Sequence, residues 1–290
     1  MRIASLSIIL LLLINSCARQ APNNLADSTE GSGREIYINS IDYFPETAEF
    51  YVALNVKQGV EFDWDKVTAL TDSITYQDDE TVRRRLPMSI ARQYFDTNLL
   101  DTLDVFSHLH KRISGVNLTR VEYYEPTMEN YFIAVFKAGK QVKIDNEPYY
   151  CTSPTKESRR SLSSEYIADT LLTARLKKEL NIKSIYHWVP KHVQVKGSQN
   201  LYSIFSFQEQ SGNVSYLTEL NGNKLNLLYK QTDEYSFWDI LPLPLYQHSK
   251  PILLITMAVP DTDSSLEYVP FVFDGTKYVP FYNNRVNLTK

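Results

Sequence analysis

Beyond Lys183 the chain is a succession of short runs rich in aromatic and β-branched residues, each closed by a turn signal. The runs cover 184–189, 201–207, 214–220, 225–229, 252–259, 268–273 and 277–282. Runs of this length and composition suit pleated, half-buried surfaces better than helices. Asn221-Gly222 and Asp274-Gly275 offer the positive backbone angles that tight hairpins need. The region 184–290 therefore reads as a strand-rich, antiparallel unit, in keeping with 20 Tyr and 13 Phe in the whole chain.

The part before it mixes patterns. Residues 36–38, 50–56, 118–124, 131–136 and 141–144 read as strands. Between them, Asp63 or Asp65 suits the cap of a helix running to 74, and Pro87 suits the first position of one running to 95. Thr97 or Asp101 suits the cap of another through Ile113, stopped by Gly115. Arg83, Arg84 and Arg85, offset by Asp78, Asp79 and Glu80, read as a solvated helix face. A linker then leads to the strongest helical pattern, 163–183, where Ile167, Leu171, Leu172, Leu176 and Leu180 form one apolar face. Lys177 and Lys178 complement the dipole near its end. The fold class expected is α+β: mixed strands and helices over 35–150, a linker and long amphipathic helix over 151–183, and the β-rich region 184–290.

The first residues carry an address. Met1-Arg2 precedes an apolar stretch whose uninterrupted part, 8–14, is far short of the ~20 residues that span a bilayer. This is the layout of a secretory signal. Ile14-Asn15-Ser16-Cys17 resembles the lipobox of bacterial lipoproteins: aliphatic residue, variable residue, small residue, Cys. The resemblance implies cleavage after residue 16 and acyl chains on Cys17, whose burial at ~0.8 kcal/mol per methylene anchors the chain to a membrane. Residues 17–34, rich in Ala, Pro, Asn, Ser and Gly, read as a flexible tether. Asp27-Ser28-Thr29 within it resembles the short O-glycosylation sequon of exported Bacteroidota proteins and makes Ser28 a candidate acceptor. Surface-exported lipoproteins of that group carry an acidic run after the lipidated Cys. None follows Cys17, so the expected place is the periplasmic face of the outer membrane.

Charge and cysteines narrow the partners. Arg2 is the only charged residue before Cys17, so without the signal the formal net charge passes from −4 to −5. An acidic chain lacks the basic footprint that nucleic acid requires. With Cys17 lipidated, Cys151 has no partner, so a packed core rather than disulfides must hold the fold. Cys151 reads as a small buried residue.

Chemistry is harder to find. His108 and His110 would point to different faces of a helix, His187 and His192 flank no metal motif, and His248 lies near prolines. There is no phosphate-binding glycine loop, nucleophile elbow or CxxC pair. Asp63/Asp65 and Asp261/Asp263 suit caps and turns. The stretch 214–229 and the end at 271–279 are similar to strand–turn–strand units of FG-GAP/VCBS repeats. Those units hold calcium on a run of Asp, whereas Asn221, Gly222 and Asn223 offer no carboxylate. No metal or cofactor is therefore expected. Pro242, Pro244 and Pro251 break the nearby strands into loops, which puts Trp238, Tyr235 and Tyr246 forward as binding residues, while Trp188 reads as core. The expected function is a membrane-tethered, non-catalytic binding or envelope-maintenance module for an envelope glycan, peptide or protein. A tethered hydrolase acting on envelope glycans or peptides, and an inhibitor or immunity protein, stay open beside it.

Overall fold

A computed structural model describes residues 34–126, 130–139, 148–155, 162–182, 188–209, 212–260 and 266–288. The stretch Gly33–Lys290 forms one compact unit. Its first part comprises β1 (Arg34–Ser40), β2 (Asp42–Phe44), β3 (Glu49–Ala53), α1 (Trp64–Thr68), β4 (Ser73–Gln77), β5 (Val82–Leu86) and α2 (Met88–Tyr94), then β6 (Thr102–Ser107), β7 (Arg112–Glu125), β8 (Tyr131–Ala138) and β9 (Pro148–Thr152). Next come β10 (Ser164–Tyr166), α3 (Thr170–Glu179), β11 (Lys191–Val195), β12 (Asn200–Glu209), β13 (Gly212–Asn221) and β14 (Lys224–Asp233). The chain ends with β15 (Ser236–Gln247), β16 (Lys250–Ala258), β17 (Glu267–Phe273), β18 (Tyr278–Pro280) and β19 (Arg285–Leu288).

These strands make three antiparallel sheets. The first has ten strands in the order β19-β1-β9-β6-β7-β8-β3-β2, with β5 on β7 and β4 on β5. Since β1 and β2 are interrupted only at Ile41, this sheet returns to its own beginning, and Ile41 N–H donates to the Tyr149 carbonyl across the seam at 3.4 Å. Inside the ring Tyr37, Ile41, Phe50, Val52, Leu103, Val105, Val116, Ala134, Phe136 and Cys151 pack together. Closing a sheet in this way covers the edges of β1 and β2, and β19 and β4 are left with one neighbour each.

The second sheet runs β10-β11-β12-β13-β14 and the third β15-β16-β17-β18. The third is the middle layer, and β16 shows why. Leu253, Ile255 and Met257 enter the core shared with the second sheet, while Ile252 and Leu254 enter the core shared with the first. A strand covered on both faces must be apolar at every position, hence the unbroken run 252–255. On the outer face of the second sheet α3 lays Leu176 against Phe205, Phe207, Val214 and Tyr216. No helix of the described residues is long and apolar enough to cross a membrane.

The α+β expectation is overturned. Among the described residues there are three helices, of 5, 7 and 10 residues, and strands dominate throughout. The long helix expected over 163–183 shrinks to α3. Its first residues instead pair as β10 with Val193–Val195, and Asp169 starts the helix by accepting from Leu171 N and Leu172 N, both at 2.9 Å. Leu171, expected on the apolar face, is 81% exposed. The helix expected through Ile113 is the β6–β7 hairpin: Leu103 and Val105 point inward at a spacing of two, and His110 turns the chain with φ 62°. The helix from Asp63 ends at Ala69, short of the strand β4. The arginine run lies in β5 rather than on a helix, and Arg83 is wholly buried. Pro242 and Pro244 lie inside β15, which has a single neighbour, so their missing N–H groups cost no ladder bond on the open side.

Candidate functional site

The site grows out of that open edge. Phe237 pairs with Met257 and Asp239 with Thr256, so Trp238 is the extra residue of a β-bulge. A bulge re-aims the side chain it carries, and Trp238 is 40% exposed. Its indole stacks on that of Trp188, with ring centroids 5.9 Å apart and planes 21° from parallel. Trp188 is therefore half-buried beside Trp238 and not a core residue as its sequence setting implies. Val189, next along the chain, is 81% exposed.

Tyr166 ties this edge to the second sheet. From β10 its hydroxyl donates to Asp239 Oδ1 at 2.9 Å and lies 3.2 Å from the Ile240 carbonyl, an acceptor on the open edge. The Ile240 N–H also donates to Asp239 Oδ1, at 2.8 Å. Lys191 Nζ sits 5.5 Å from the centre of the Tyr166 ring. The arrangement sets a partly exposed indole pair next in sequence to a held carboxylate, with a cation over the ring of the tyrosine that holds it. It can stack a planar or C–H-rich group and accept or donate hydrogen bonds at its rim.

The other expected binding residues are not brought to this surface. Tyr235 and Tyr246 are half-buried and pack against the core between the second and third sheets. Cys17 and Ser28 lie outside the described residues, as do the segment expected to be a signal, nearly all of the expected tether, and the histidine at 187. His108 and His110 fall in the β6–β7 turn, and His110 Nδ1 is 3.1 Å from the Tyr150 hydroxyl. Among the described residues no group of three or more His, Cys, Asp or Glu is placed to hold a metal ion.

Two clusters look chemical and are structural. His192 Nδ1 lies 2.8 Å from Ser203 Oγ, and its Nε2 lies 2.7 Å from Thr173 Oγ1. A Ser–His contact invites a nucleophile reading, but Ser203 and His192 are 1% and 2% exposed, so substrate has no access. Burial holds the imidazole below its usual range, against the pull of Asp169, so it links α3 to the sheet as a neutral group. Cys151, wholly buried in the ring, is likewise unreactive, because burial pushes its thiol well above the ordinary value.

The second cluster lies outside the ring. Arg120 holds Glu49 with both terminal nitrogens at 2.7 Å and Glu122 through Nε at 2.6 Å. Arg83 lies between the rings of Phe44 and Tyr76, at 4.1 and 4.7 Å, with Nη1 3.7 Å from each carboxylate. Burial works to raise the Glu49 carboxyl, but the Arg120 hydrogen bonds and charge hold it down at about 2. Glu35 and Asp96 converge in the same manner on Arg285. Glycoside hydrolysis needs two carboxyl groups facing each other across a substrate; both of these pairs instead enclose an arginine.

An open groove of about 540 Å³ lies at the turn between β11 and β12, lined by Glu165, Gln194, Lys196, Gln199 and Leu220 among others, without an aromatic ring. Gln194 Nε2 is committed there to backbone carbonyls of Ser198 and Asn200. No protein-family model, curated protein or solved structure matches the chain.

Proposed function

We propose that this protein is a membrane-tethered envelope lipoprotein whose folded part is a non-catalytic binding module. The observation that carries the binding half is the Trp188–Trp238 pair, raised from the open edge of β15 by a bulge. An indole that is 40% exposed and stacks on a half-buried one leaves apolar area in water, so its placement favours contact with a ligand. The surface suits an envelope glycan or peptide, with Asp239 and Tyr166 at its rim. The tether rests on Ile14-Asn15-Ser16-Cys17, and the periplasmic face of the outer membrane on the lack of an acidic run after Cys17.

The two halves are tested separately. Membrane fractionation of Cys17→Ser should show loss of lipid labelling and release into the soluble fraction; unchanged retention contradicts the tether. Capture of isolated envelope material should be strong for the wild type and weak for Trp238→Ala. Equal capture contradicts the binding surface.

A further inference from the structure

A different part of the molecule, sharing no residue with the Trp238 surface, holds a second open groove. We propose that the groove beside Trp64 binds a neutral pyranose unit of a glycan. The groove is open, about 450 Å³ in volume, and bordered by Trp64, Asp65, Thr68, Arg84, Tyr123 and Asn130.

Its construction begins with Asp63, which caps α1 by accepting from Lys66 N at 3.2 Å and so fixes the direction in which Trp64 leaves the chain. One face of the indole is backed by Phe132, centroids 5.4 Å apart and planes 25° from parallel, and Phe62 meets it edge-on at 5.1 Å. The ring is thus held rigidly, yet Trp64 is 45% exposed. Arg84 of β5 and Tyr123 of β7 are direct cross-strand partners and project on the same side of the sheet. Arg84 Nη2 stands 3.8 Å from Glu125 Oε2, too far for a hydrogen bond, and the Arg84 side chain is 40% exposed beside that carboxylate.

The chemistry selects the ligand. An indole backed by Phe132 and 45% exposed suits stacking on the C–H face of a sugar ring, burying apolar area at little entropic cost. The guanidinium of Arg84, the carboxylate of Asp65, the amide of Asn130 and the hydroxyl of Thr68 form a mixed set of donors and acceptors, which suits adjacent sugar hydroxyls. Arg84 is outnumbered by the carboxylates of Asp65 and Glu125, which disfavours an acidic sugar. An open groove suits one unit of a longer chain.

The test is fluorine NMR of the full chain in detergent with fluorinated tryptophan, the three Trp signals assigned by Trp→Phe variants. The probes are the methyl pyranosides of glucose, galactose, mannose and N-acetylglucosamine, their linear oligosaccharides, and glucuronate. At least one neutral probe should move the Trp64 signal saturably. Arg84→Met should weaken that response at least about tenfold, as expected for loss of hydrogen bonds from a charged donor, with circular dichroism unchanged. Should Arg84→Met fail to fold, Asn130→Ala is expected to weaken the response in the same sense. A Trp64 signal that no neutral probe moves, that only glucuronate moves, or that responds equally in the folded variant overturns the proposal. The Trp238 signal reports the other surface independently.

Discussion

Arg120 grips Glu49 with both ends of its guanidinium, Nη1 on Oε1 and Nη2 on Oε2, each at 2.7 Å. The two residues lie 71 positions apart, on β7 and β3, and β8 runs between these strands. The pair therefore spans three strands of the ring, and Glu122 and Arg83 complete it beneath Phe44 and Tyr76. Removing Arg120 leaves two buried carboxylates sharing the more distant Arg83 and the exposed Lys137, and breaking a buried pair in this way typically costs about 3–5 kcal/mol. Arg120→Ala should accordingly shift the denaturant midpoint strongly. Lys137→Ala, which removes a half-exposed partner of Glu49 at 3.3 Å, should cost less than about 1 kcal/mol.

The same pair gives stability a sign in acid. The Glu49 carboxyl is lowered from an ordinary 4.5 to about 2 in the fold, so the unfolded chain binds its proton first. Its stabilising contribution is complete above about pH 4.5 and is lost as the pH falls towards about 2. His192 acts earlier. Burial lowers its imidazole from the ordinary 6.5, so folding disfavours its protonation and stability declines as the pH falls below that value. Denaturation midpoints across pH should show both declines, and His192→Gln should abolish the one beginning near 6.5.

Leu176 and Leu171 separate the helix that exists from the longer one that the pattern implies. Leu176 is fully buried against Phe205 and Phe207, and Leu171 is 81% exposed. Leu176→Ala should cost about 2–5 kcal/mol, and Leu171→Ala should fall within about 0.5 kcal/mol of the wild type. Thermal unfolding of the two variants decides this.

The fold was legible where one physical signal acted alone. The run around Leu253 reads as a strand because both its faces are buried, and Asn221-Gly222 reads as a hairpin because Gly222 takes φ 58° there. It was illegible where two signals competed. Leu103 and Val105 alternate as in a strand, but the caps, Thr97 and Asp101, and the breaker, Gly115, also frame a helix. Pro242 and Pro244 look like strand breakers until β15 is known to be an edge. Arg83 looks solvated because no local pattern shows that Glu49 and Glu122 will meet it. Trp238 was found as a candidate for an incomplete reason, since the bulge and not a loop exposes it. Tyr235 and Tyr246 share its neighbourhood in sequence but pack on the core. Trp64 gave no local sign, because its groove needs Arg84, Tyr123 and Asn130 from distant strands and loops.

If the Trp188–Trp238 stack binds envelope material as proposed, Trp238→Ala must abolish that binding. The change removes an indole that is 40% exposed and stacks on Trp188, so the fold should survive. Truncating an aromatic binding anchor typically costs about 2 kcal/mol or more, a loss of at least about thirtyfold in affinity. Capture of isolated envelope material should therefore collapse in Trp238→Ala while its circular dichroism matches the wild type. Capture equal to that of the wild type, or loss of capture together with loss of the β-sheet signal, would contradict the account.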